Sequence, residues 1–118
     1  MPRILLVEDD FEVRLLVEHV LLAAEYEVDC ADTFGRGAAL LDRRPYDLVV
    51  ADGRLADGTG MMLADIAREK DIPALIVTGY AFVLHEEGVD LADYDVLLKP
   101  IRPDELLAIV TEALEGRQ

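Results

Sequence analysis

Four short segments carry side chains that could act together chemically: Glu8-Asp9-Asp10, Asp52 with Gly53-Arg54 after it, Thr78-Gly79, and Lys99-Pro100. Singly, each has an ordinary use. Asp10 suits the cap of a helix opening at Phe11, Thr78 suits a loop amide, and Lys99 suits a solvated surface. Together they pose an electrostatic problem. Carboxylates within a few ångströms repel one another, and burial raises their pKa further, so a fold tolerates such a cluster mainly where a cation neutralises it. Oxygen ligands from Asp and Glu suit a hard ion, and Mg²⁺ takes few carboxylates, completing its shell with water and phosphate oxygens. A lysine and a threonine nearby supply the positive charge and the hydrogen-bond donor that a phosphoryl group needs. The set reads as a phosphoryl-transfer site with a carboxylate nucleophile.

For these segments to meet, the chain between them must bring several strand ends to one edge. Short apolar runs at 4–7, 28–30, 48–51, 74–77 and 96–98 alternate with segments of helical period at 11–24, 34–44, 60–70, 81–87 and 103–114. Three of the runs are almost wholly apolar, as parallel strands covered on both faces are. The last helix is the clearest: Leu106, Leu107, Val110 and Leu114 share a face, Pro103 suits its first position, and Asp104 and Glu105 favour its positive end. Five strand–helix units predict one α/β domain over residues 1–118, an open, doubly wound, five-stranded parallel sheet with helices on both faces. In such sheets ligands bind beyond the carboxyl ends of the strands, and all four segments lie there.

Composition narrows the function classes. Of the 118 residues 53% are apolar, enough for a core without disulfides, and Cys30 is the single cysteine, so no intrachain disulfide framework exists. Cys30 is expected to act as a small apolar strand residue. The apolar runs are far shorter than a membrane span and no charged-then-apolar leader opens the chain, so a cytoplasmic protein without membrane contact is expected. A net charge of −14 argues against direct nucleic-acid binding, which needs clustered Lys and Arg. His19 and His85 have neither metal-ligand spacing nor a place at a strand end, and read as surface or interface residues.

The ordered set of motifs resembles the receiver domains of bacterial response regulators over essentially the whole chain. The resemblance rests on Ile4-Leu5-Leu6-Val7-Glu8-Asp9-Asp10, Arg14 in the first helix, Tyr46-Asp47-Leu48-Val49-Val50-Ala51-Asp52, Arg54-Leu55-Ala56-Asp57-Gly58-Thr59-Gly60, Thr78-Gly79-Tyr80 and Lys99-Pro100. It implies a flavodoxin-like sheet of order 2-1-3-4-5. Asp52 would be the phosphoacceptor. Asp9 and Asp52 would ligate Mg²⁺ directly, Glu8 through water, and the Arg54 backbone carbonyl would complete the protein ligands. Thr78 and Lys99 would hold phosphoryl oxygens, and the Lys99–Pro100 bond would be cis. The donor would be a sensor histidine kinase or a histidine phosphotransfer protein, and the output a change in contacts with a downstream protein, which makes the chain a switch rather than an enzyme.

Three departures qualify the likeness. Val96 stands where the family usually has an aromatic switch residue, which leaves Tyr80 as the candidate for that motion. Ala56 replaces a common proline, so a more flexible loop is expected after Asp52. The third helix is slightly short and the fourth, at 81–87, poorly patterned. Aspartate-nucleophile phosphatases need a second Asp where Arg54 stands, nucleotide-binding folds need a glycine-rich loop after the first strand, and a degenerate receiver would lack Asp52, Thr78 or Lys99. The chain ends soon after the last predicted helix, at Gly116-Arg117-Gln118. A stand-alone receiver is expected, the alternative being a module cut from a larger transcriptional regulator or hybrid kinase.

Overall fold

A computed structural model describes residues 1–79 and 94–116. Strands β1 (Arg3–Val7), β2 (Glu27–Ala31), β3 (Leu48–Asp52), β6 (Ala74–Thr78) and β7 (Asp95–Leu98) form a parallel sheet in the order β2-β1-β3-β6-β7. Among the five strands of that sheet this is the expected 2-1-3-4-5. Two further strands, β4 (Arg54–Leu55) and β5 (Gly58–Thr59), make a small antiparallel hairpin just past Asp52. Four helices are described: α1 (Phe11–Ala23), α2 (Phe34–Arg43), α3 (Gly60–Glu69) and α4 (Pro103–Glu115). The helix expected at 81–87 lies outside the described residues. Among the described residues, no helix is long and apolar enough to cross a membrane.

The alternation of side chains along each strand divides the core in two. Ile4 and Leu6 of β1 and Leu48 and Val50 of β3 pack with Val17, Leu21, Leu106 and Val110, which places α1 and α4 on one face. Leu5, Val7, Val49 and Ala51 pack with Leu41, Leu63 and Ala67, which places α2 and α3 on the other. Both faces of β1 and β3 are thereby buried, which is why their sequences read as unbroken apolar runs.

Hydrogen bonds fix the helix starts. Asp10 caps α1 by accepting from the Val13 N–H at 3.0 Å, as expected from its position. Thr33 and Thr59 cap α2 and α3 in the same way. The start of α2 gains a second acceptor from far along the chain: the Asp57 carboxylate, in the β4–β5 turn, accepts from Phe34 N–H at 2.7 Å and Gly35 N–H at 3.0 Å. Those two bonds hold the Asp57 carboxyl below its ordinary pKa. The loop after Asp52, expected to be loose for want of a proline, is pinned by this contact and by its own hairpin pairing.

At the amino edge of the sheet the charges pair off. Asp29 accepts from the buried Tyr46 hydroxyl at 2.8 Å, from Arg44 at 3.1 Å and from Arg3 at 3.2 Å. Burial pushes the Asp29 carboxyl up, but the bonds from Tyr46, Arg44 and Arg3 outweigh it and hold the group below its ordinary value.

Candidate phosphoacceptor site

The sheet register brings the four segments together. Val7 lies beside Ala51, Asp52 beside Val77, and Thr78 beside Leu98, so the ends of β1, β3, β6 and β7 form one carboxyl edge. One carboxylate oxygen each from Glu8, Asp9 and Asp52 lies within 4.8 Å of the others. Lys99 bridges two of them, with Nζ 3.0 Å from Glu8 Oε1 and 3.4 Å from Asp52 Oδ2. The Lys99–Pro100 peptide is cis, and the Lys99 N–H donates to the Thr78 carbonyl at 2.9 Å, extending the β6–β7 pairing to the lysine.

The environments of these groups differ. Glu8 is buried, with 2% of its surface exposed, whereas Asp9 is exposed. Burial, then the hydrogen bond and charge of Asp52, push the Glu8 carboxyl up to about 7, against the pull of Lys99. Burial works against the Lys99 ammonium, but Glu8 and Asp52 more than offset it and raise its pKa. With one ammonium among three carboxylates, two negative charges remain uncompensated when all are ionised. The donor set is all oxygen, the chemistry of a hard divalent cation, and these residues fit one.

Close packing holds the phosphoacceptor loop. A Cβ on Gly53 would stand 2.9 Å from Thr78 Cβ and 3.0 Å from its Oγ1, so only glycine lets the loop lie against the buried threonine. Gly53 N–H donates to Val77 at 3.1 Å, Gly60 N–H to Gly53 at 3.2 Å, and Arg54 N–H to Asp52 Oδ1 at 3.3 Å.

Glu8, Asp9, Asp52 and Lys99 are thus brought into one cluster, with Thr78 against the Gly53 turn and Arg54 bonded through its N–H to Asp52. Asp10 is the expected cap. Val96 is partly buried on β7 without an aromatic ring, and Tyr94 is bonded to Asp65 at 3.0 Å with Arg68 over its ring, so it is engaged by α3. Tyr80 lies outside the described residues. Cys30 is less purely apolar than expected: its thiol donates to Glu18 at 3.0 Å, and burial with that contact pushes it up to about 12. Two residues with clear parts in the geometry had no role assigned from sequence. Asp57 meets its partners 22 and 23 residues away, a separation no local spacing reveals. Arg14 bonds the Glu8 carbonyl at 2.8 Å, which its place one turn after the acidic segment could have signalled.

The family model for the response regulator receiver domain matches residues 4–111. The chain therefore belongs to the receiver domains of two-component response regulators. It is 35% identical over 115 residues to the probable transcriptional regulatory protein SilR of Salmonella typhimurium, covering 95% of this chain and 50% of that protein. It is also 35% identical over 122 residues to the transcriptional regulatory protein PmrA of Pectobacterium parmentieri, covering 98% and 54%. The chain spans about half the length of these curated relatives. Among solved structures, a CheY-like receiver domain from Methanospirillum hungatei superposes with a TM-score of 0.84 at 29% identity, covering 99% of this chain and 96% of that one. The receiver domain of a sensor histidine kinase from Pseudomonas aeruginosa, with magnesium coordinated in its active-site cleft, has the same fold at a TM-score of 0.84 and 24% identity, covering 97% of this chain and 98% of that one.

Proposed function

We propose that this receiver accepts a phosphoryl group on Asp52 from a phosphohistidine of a sensor histidine kinase or histidine phosphotransfer protein, and that the resulting charge switches its contacts with a downstream protein. The observation that carries this reading is the Asp52 carboxylate clustered with Glu8 and Asp9 at the carboxyl edge of the sheet and sharing the Lys99 ammonium with Glu8.

Each residue has a defined task. An oxygen of Asp52 attacks phosphorus in line as the bond to the donor imidazole breaks, giving an aspartyl phosphate and returning the electron pair to the imidazole. Lys99 exchanges a carboxylate partner for a phosphoryl oxygen, and Thr78 offers its hydroxyl to another. Glu8, Asp9, Asp52 and the Arg54 carbonyl would hold Mg²⁺, the ion seen in the Pseudomonas receiver. When bound it supplies charge neutralisation on the transferring oxygens. No second substrate is turned over, so the chain is a switch rather than an enzyme, working in the cytoplasm through protein contacts. Its −14 charge leaves nucleic-acid contact to other polypeptide.

The test is direct. Acetyl phosphate with Mg²⁺ should add one phosphoryl group to the wild type by intact mass and none to Asp52→Asn. An unlabelled wild type, or equal labelling of both, rejects the reading.

A further inference from the structure

We infer that Arg14 is a positioning residue for the acidic turn after β1 and sets how tightly that turn holds a divalent cation; this rests on the phosphoryl-transfer reading above. The Arg14 guanidinium reaches back from the first turn of α1 and donates to the Glu8 backbone carbonyl at 2.8 Å. The Phe11 ring holds it from one side, 5.6 Å from the ring centroid. Among the described residues Arg14 forms no ion pair, although the neighbouring turn is acidic. Its strongest contact is spent on a peptide oxygen.

That oxygen defines the peptide plane joining Glu8 to Asp9. Glu8 is fixed on every side: its N–H bonds Ala31 at 3.0 Å, its carboxylate takes Lys99 at 3.0 Å and the Asp10 N–H at 3.3 Å, and its carbonyl takes Arg14. Asp9 is different. It is exposed, and among the described residues no hydrogen bond holds its carboxylate. The peptide before Asp9 is therefore the anchored point from which its exposed carboxylate reaches the cluster, and Arg14 is bonded to that peptide.

Two effects of opposite sign separate this role from simple charge. Removing a positive charge near a cation site tightens cation binding by Coulomb's law alone. Releasing the turn weakens it, as loss of a group that orients a metal ligand does, by about 10-fold or more. Positioning dominates, so Arg14→Ala weakens Mg²⁺ binding by about 10-fold. Arg14→Lys, which keeps the charge and a donor but loses the planar fork, recovers part of that loss.

The experiment titrates Mg²⁺ into the full chain by calorimetry for wild type, Arg14→Ala and Arg14→Lys, with circular dichroism to establish folding. Weaker binding in Arg14→Ala with partial recovery in Arg14→Lys is the expected result. Unchanged or tighter binding in a folded Arg14→Ala overturns the inference while leaving the phosphoryl-transfer reading intact. A wild type that does not bind Mg²⁺ overturns that reading itself. If Arg14→Ala does not fold, Arg14→Lys decides: weaker binding than wild type supports the role, and equal or tighter binding overturns it.

Discussion

At the scale of the residue, Glu8 is the group on which the electrostatics of the site turn. Its folded-state pKa of about 7 lies above the ordinary 4.5, so the folded protein holds this proton more firmly than the unfolded chain does. That contribution to stability is complete below pH 4.5 and is lost as pH rises through about 7, where the buried carboxylate ionises. Only the ionised form binds a cation well. Thermal melts should therefore reveal a larger rise in Tm from MgCl₂, over NaCl of matched ionic strength, at about pH 8 than at about pH 5.5. An equal rise at both would mean that Glu8 takes no part. The chemistry of Glu8, Asp52 and Lys99 is legible in sequence because charged types at strand ends have few other uses in number. Which carboxylate is buried is not legible, since Glu8 and Asp9 are adjacent acids and only the packing above them separates their environments.

At the scale of the element, the contact between α2 and β1 tests packing between a helix and the sheet. Gly37 is buried, and a Cβ there would stand 2.7 Å from Val7 Cγ2 and 3.3 Å from Cγ1. Alanine is the better helix former by up to about 1 kcal/mol. Overpacking costs typically 1–3 kcal/mol, and neither rigid neighbour here is the end of a long side chain. Gly37→Ala should accordingly lower unfolding stability, by up to about 3 kcal/mol, in urea titrations. A gain would mean that α2 shifts freely on the sheet. The strands and described helices fall within a residue or two of their predicted bounds because buried parallel strands and amphipathic helices leave strong periodic signals. The β4–β5 hairpin left none. Two-residue strands have no period, and what stabilises this one, the Asp57 bonds to α2 and the seat of Gly58 against the Phe34 ring, comes from the other end of a long sequence gap.

At the scale of the whole molecule, a charge of −14 is spread over extents of 37 × 29 × 28 Å. Most charge pairs are thus farther apart than the Debye length of roughly 8–10 Å at about 0.1–0.15 M salt, so modest salt removes most of their repulsion. The exposed ion pairs that salt also weakens contribute only about 0–1 kcal/mol each. Raising NaCl from about 10 mM to about 150 mM should therefore raise the Tm, and a fall would mean that the ion pairs prevail. The two edges of the sheet divide this charge unequally. At the amino edge Asp29 is matched by Arg3, Arg44 and Tyr46, while the carboxyl edge keeps negative charge unmatched. Matched and unmatched charge therefore occupy different places on one sheet, with Asp29 in register with Leu5, three residues before Glu8. The two charge clusters share no partner among the described residues, so substitutions that strengthen the pairing at Asp29 should add to, rather than alter, the effects of substitutions around Asp52.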